Sequence, residues 1–67
     1  MIQIQLNGKP YKIDEKMSVS DLLSKLSLTE KKVAVEINEE ILPRENYNKK
    51  ILSVKDKVEI VHFIGGG

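Results

Sequence analysis

Few residues in this chain have the types and spacing to do chemistry. Gly65, Gly66 and Gly67 form an unbroken triplet after a strongly apolar run. Glycine packs nothing and loses the most conformational freedom on ordering, so the triplet is expected to project as a slender, flexible arm. Such an arm offers a carboxylate with no side chains beside it, able to thread a narrow channel in another protein. Once activated with ATP, that carboxyl is open to a nucleophile, which makes the arm a substrate and not a catalyst. On the glycines alone, a frayed terminus, a truncated domain or a linker stub fits equally well.

The remaining candidates are weaker. His62 is the single histidine and the chain has no cysteine. A metal site or a general base needs partners that are missing here, so a structural role is the expectation and no metal or bound cofactor is foreseen. Asp14-Glu15 and Glu39-Glu40 are paired acids, but both pairs fall in expected turns, where solvated charge is the simpler account. Lys31-Lys32 and Lys49-Lys50 could meet phosphates, yet acids flank them and aromatics are scarce. Such charges can still steer a charged partner.

Composition narrows the classes further. The chain has 67 residues, 11 basic and 10 acidic, for a formal net charge of +1. That balance argues against a dedicated nucleic-acid binder. No apolar run is long enough to span a membrane, and Met1 to Leu6 lacks the features of a signal peptide, so cytoplasm is the expected compartment. A single domain is expected, stabilised by one apolar core without disulfides or a structural metal. A core this small leaves little material for the walls of a catalytic cleft, so an enzyme in its own right is disfavoured.

The elements that must position the arm follow from periodicity. Ile2, Ile4 and Leu6 alternate with Gln3 and Gln5, as in a strand with one buried face. Asn7-Gly8 then signals a tight hairpin of type I′. Pro10 to Ile13 forms the return strand, and Pro10 suggests a sheet edge. Ser18 and Asp21 resemble a capping box ahead of a helix whose stripe is Val19, Leu22, Leu23 and Leu26. Helical pattern is lost by Leu28-Thr29, and Thr29 to Lys32 reads as a charged turn. Val33 to Ile37 is a strand, Asn38 to Glu40 a turn, and Ile41-Leu42 a short strand halted by Pro43. Arg44 to Lys50 is irregular or a single helical turn anchored by Tyr47. Ile51, Leu52 and Val54 are apolar again, and Lys55-Asp56-Lys57 is a turn. Val58 to Ile64 is the most strand-like run of all.

The order is β-β-α-β-β-β, an α+β class in which a mixed sheet of about five strands grips one helix. The apolar first and last strands are expected in its interior.

With these elements upstream of the glycines, the chain resembles the β-grasp, ubiquitin-like proteins, and most closely the ThiS family of sulfur carriers in bacterial thiamine biosynthesis. The matching segments are Ile2 to Gly8, Val19 to Leu26, Val33 to Asn38 leading to Ile41-Leu42-Pro43-Arg44-Glu45, and Val58 to Gly67. The resemblance covers the whole chain, taken as one domain of residues 1–67 with 64–67 as the flexible tail. It implies that the Gly67 carboxyl is adenylated, with ATP, by a ThiF-like adenylyltransferase and converted to a thiocarboxylate. Gly65 and Gly66 would then share the partner's active site with Gly67. It also implies sulfur donation to the thiazole synthase ThiG, with a cysteine desulfurase upstream as the sulfur source, and a carrier that is monomeric when free. Related readings are the small subunit of molybdopterin synthase, a protein modifier of ubiquitin type, and an interaction module with an inert tail. The first of these is typically longer and has a Pro-containing approach to the tail that Val61-His-Phe-Ile64 lacks.

Strand alternation adds a docking surface. With Val58 and Ile60 toward the helix, Glu59, Val61 and Phe63 face the open side of the sheet. Val61 and Phe63 are expected to lie beside Gln3 and Gln5 as a small apolar patch next to the tail, with Ile64 completing the grip for a partner.

Overall fold

The computed structural model describes residues 1–63. The flexible arm foreseen at 64–67 lies outside the described residues.

Strand β1 (Ile2–Leu6) and strand β2 (Lys9–Ile13) form an antiparallel hairpin in which Leu6 pairs with Lys9. The two loop residues, Asn7 and Gly8, both have positive φ (49° and 84°), as a type I′ turn requires. A Cβ at Gly8 would meet no atom within 4 Å, so glycine is needed there for its backbone angle and not for space.

Helix α1 (Val19–Lys25) begins with the expected reciprocal cap. The Ser18 hydroxyl accepts from the Asp21 N–H at 3.0 Å, and the Asp21 carboxylate accepts from the Ser18 N–H at 3.1 Å. Its end is a Schellman closure. The Leu28 N–H reaches back to the Leu23 carbonyl at 2.8 Å and the Ser27 N–H to the Ser24 carbonyl at 3.0 Å. Ser27 occupies the left-handed position at φ 61°. At the same end of the helix, the Lys25 ammonium lies 5.9 Å over the Tyr11 ring of β2.

The charged turn after the helix contains a 3₁₀ turn at Glu30–Lys32, and strand β3 (Val33–Ile37) follows. Strand β4 is Glu40–Ile41, one residue earlier than expected. The reason is a two-residue loop: Asn38 and Glu39 both have positive φ, and Ile37 pairs directly with Glu40. Glu40 is therefore a strand residue and not part of the turn. A 3₁₀ turn at Arg44–Asn46 delivers Tyr47 into the core as its anchor. Strand β5 runs Lys57–His62, starting one residue earlier than expected, with Phe63 just beyond it.

The strands form one sheet in the order β2-β1-β5-β3-β4. β5 sits at its centre, parallel to β1 and antiparallel to β3, so the two strongly apolar strands are indeed interior. The core lies between this sheet and α1. Val19, Leu22 and Leu23 of the helix meet Ile4, Ile13, Val33, Val35 and Val58 of the sheet, with Tyr47 and Leu52 closing the remaining side. Burying each large aliphatic side chain contributes roughly 1.5–3 kcal/mol. Leu26, last of the helical stripe, is half-buried at the margin.

Candidate functional site

The candidate site is the second half of β5, because that segment leads into the glycines. Its position is set from both sides. Toward β3 the pairing is regular: Glu59 lies opposite Glu36, Val61 opposite Ala34, and His62 opposite Val33. The Phe63 N–H carries the ladder one step further, donating to the Lys32 carbonyl at 2.8 Å. Toward β1 the pairing is brief, Gln5 with Lys57 and Leu6 with Val58. β1 then turns away, and Asn7 takes over. Its N–H donates to the Val58 carbonyl at 2.9 Å, and its side-chain oxygen accepts from the Ile60 N–H at 2.8 Å. Asn7 therefore has two jobs, the left-handed turn of the hairpin and the restraint of β5 where the neighbouring strand ends.

The faces alternate as expected. Val58 is fully buried and Ile60 half-buried on the helix side, whereas Glu59, Val61 and Phe63 are exposed. Val61 is 60 % and Phe63 52 % exposed, which makes them, among the described residues, the large apolar side chains closest in sequence to the glycines that remain available to a partner. Ile64 and Gly65 to Gly67 lie outside the described residues.

One expected neighbour is corrected. Gln3 and Gln5 do not lie beside Val61 and Phe63. Parallel pairing sets Gln5 against Lys57, four residues before Val61, and the hairpin turns back before β1 could reach that level. The neighbour of Val61 across the ladder is Ala34. The patch therefore spans β5 and β3, with Ala34 half-buried beside Val61. Sequence reasoning missed Ala34 because alternation assigns faces but not which strands are adjacent. Gln3 and Gln5 instead help line a hollow of about 400 Å³ with Pro10, Val54 and Lys55, at the opposite end of β5 from Phe63.

The other candidates do not assemble into a site. His62 is exposed at the end of β5. Among the described residues, no three His, Cys, Asp or Glu side chains come together to hold a metal. Asp14 and Glu15 are exposed, and Glu39 forms an exposed ion pair with Lys57 at 3.3 Å. No helix among the described residues is long and apolar enough to cross a membrane. What the described residues present is a gripped strand end with an apolar margin.

Comparison with known proteins places this geometry. The sequence model of the ThiS family matches residues 4–67. The sulfur carrier protein ThiS of Bacillus subtilis is 45% identical over 65 residues, which span 96% of this chain and 98% of that protein. The crystal structure of the thiamine biosynthesis protein ThiS from Geobacter metallireducens superposes with a TM-score of 0.83 at 38% identity, covering 98% of this chain and all of that one. A thiazole synthase of Magnetococcus marinus contains a segment 39% identical over 66 residues, and this chain spans only 20% of that longer protein. The β-grasp architecture of a mixed five-stranded sheet on one helix is shared with the Geobacter structure. On the strength of a match reaching from the first strand through the last glycine, the chain belongs to the ThiS family, the sulfur carriers of thiamine biosynthesis.

Proposed function

We propose that this carrier holds its sulfur on the carboxyl of Gly67 and delivers it to a thiazole synthase. The supporting observation is the family match, which runs through residue 67 and so includes the whole glycine triplet. In the first step a ThiF-like enzyme joins the Gly67 carboxylate to ATP, forming an acyl adenylate and releasing pyrophosphate. A cysteine desulfurase passes sulfur on as a protein persulfide, whose terminal sulfur then attacks the acyl carbon. The carbon–oxygen bond to AMP breaks, AMP leaves with the electron pair, and an acyl disulfide forms; a thiol reduces it, leaving the thiocarboxylate on Gly67 and a disulfide on the donor. The sulfur is nucleophilic at neutral pH yet tethered, so it is not lost as free sulfide. Every catalytic group belongs to the partners.

Thiazole synthase is the favoured acceptor because two such enzymes, from Magnetococcus marinus and Paramagnetospirillum magneticum, contain a segment similar to this chain. Carriage and use of sulfur within one polypeptide fit a direct transfer between the two parts. The three glycines admit the tail to a channel, while Val61, Phe63 and Ile64 give the partner its grip. The setting for this chemistry is the cytoplasm, where ATP is available.

The test is an intact-mass measurement after incubation with ATP, the adenylating enzyme and a sulfur source. Replacement of one oxygen by one sulfur, localised to Gly67 by fragmentation, is the expected result. Transfer of that sulfur on adding thiazole synthase separates this pathway from molybdenum-cofactor synthesis. Isopeptide attachment to lysines would instead indicate a protein modifier. An unchanged mass, or full activity after deletion of Gly66 and Gly67, would overturn the proposal.

A further inference from the structure

The centre of the sheet contains an edge. In the β3–β5 ladder the backbone groups of Glu59, Val61 and Phe63 point toward β3, as the Phe63-to-Lys32 bond shows. Those of Val58, Ile60 and His62 therefore point the other way. The Val58 carbonyl and the Ile60 N–H are taken by Asn7. Beyond them β1 has turned back, and the Ile60 carbonyl, the His62 N–H and the His62 carbonyl have no partner among the described residues.

Exposed strand edges invite pairing, and proteins blunt them with proline, lysine or short length. Both outer edges here are treated in that way. β2 carries Lys9, Pro10 and Lys12, while β4 is only two residues long and is followed closely by Pro43. The inner half-edge at Ile60–His62 carries neither proline nor lysine. It also lies two residues short of the glycines in sequence and includes the exposed Val61, with the exposed Phe63 next to it.

We propose that this half-edge is a backbone docking site, on which the thiazole synthase that takes up the tail lays an extended segment as an added strand. The inference rests on the carrier reading above. The segment would present a carbonyl to the His62 N–H and N–H groups to the Ile60 and His62 carbonyls. Three backbone bonds, each worth about 1 kcal/mol net, are too few to offset the roughly 4–15 kcal/mol lost when two free molecules associate. A second copy meeting this edge alone is thus disfavoured. An enzyme already holding the tail and the Val61–Phe63 patch adds these bonds within an existing complex, where they fix the direction in which the tail enters.

The experiment compares wild type, His62→Ala and His62→Pro in binding to thiazole synthase, with amide hydrogen exchange read at His62. His62→Ala keeps the N–H and should bind like wild type. His62→Pro removes the N–H but no bond to β3, and should weaken binding roughly tenfold with little change in Tm. Where His62→Pro does not fold, a synthetic chain with an ester between Val61 and His62 makes the same deletion. The His62 amide should exchange more slowly in the complex than in the free carrier. Equal affinity of the N–H-deleted and wild-type chains, with an unprotected His62 amide, overturns the proposal. Equal losses in both side-chain variants would assign the effect to the imidazole and also overturn it. Protection of that amide in the carrier alone, rising with its concentration, would make a second copy the occupant and overturn it too. Wild type that neither binds the synthase nor accepts sulfur would remove the carrier reading itself, and this inference with it.

Discussion

Asp56 carries more of the structure than its place in a Lys-Asp-Lys turn suggests. It is only 8 % exposed. Its carboxylate accepts from the Ser53 N–H at 2.8 Å and from the Asn38 side-chain amide at 3.1 Å, with the Lys50 ammonium 3.8 Å away. The Asn38 side-chain oxygen in turn accepts from the Lys57 N–H at 2.9 Å. These bonds tie the β3–β4 loop to the first residue of β5, fixing where the central strand starts. Replacing Asp56 with alanine removes two part-buried hydrogen bonds and a nearby ammonium contact and should cost about 1–2 kcal/mol, lowering Tm by roughly 4–16 °C. Asp56→Asn retains one acceptor and should lose less. A thermal melt of the two variants decides it, and an unaltered Tm for Asp56→Ala would show that the network contributes nothing. Periodicity cannot find such a residue, because a charge in a turn is solvated in most proteins. Asp56 differs only through partners 18 and 3 residues away, which the sequence does not bring together.

Elements were legible where local chemistry specifies them and less so where a neighbour does. The Asn7-Gly8 hairpin and the Ser18–Asp21 cap follow from side chains acting on their own backbone, and both form as the sequence indicates. The Asn38-Glu39 loop is a hairpin of the same two-residue kind, but with glutamate at φ 73° it lacks the glycine that would announce it. The helix end shows the same economy of signal: Ser27 holds a left-handed position that glycine normally fills. The left-handed conformation costs an L-residue roughly 1–2 kcal/mol, and Ser27 is exposed, so removing its side chain loses no packing. Part of that gain is offset by glycine's greater freedom in the unfolded chain. Ser27→Gly should therefore stabilise the protein by about 0.5–1 kcal/mol, raising Tm by roughly 2–8 °C. A melting temperature that stays level or falls would mean that the Schellman closure is unstrained with serine. β5 sits in the middle of the sheet because it pairs on both sides, with β1 and β3, while α1 covers its inner face, yet the adjacency of Ala34 and Val61 was visible only once the strand order was known.

At the scale of the whole molecule, the fold separates what holds it together from what it shows to partners. Val58 and Val61 lie three residues apart on β5, one fully buried beneath α1 and the other largely exposed on the open face. The two sets of side chains should accordingly respond to substitution in different assays. Leu23→Ala removes a fully buried side chain from the helix–sheet core, which costs about 2–5 kcal/mol, a large share of the stability of so small a domain. Its effect should appear as a lower Tm, with partner affinity preserved at temperatures where the variant stays folded. Val61→Ala and Phe63→Ala remove exposed groups and should change stability by no more than about 0.5 kcal/mol. Together they should weaken binding to the adenylating enzyme or to thiazole synthase by roughly five- to thirtyfold, the effect of losing 1–2 kcal/mol of desolvated contact. Titration calorimetry beside a thermal melt reads both quantities on the same samples. If the Val61 and Phe63 variants bind as wild type does, the partners do not grip this patch. If they lose Tm in proportion to affinity, the open face contributes to the core and the separation fails. A clean split would show that a carrier with a single small core can keep a partner's binding surface independent of its own stability, because the alternation along one central strand has already divided the two.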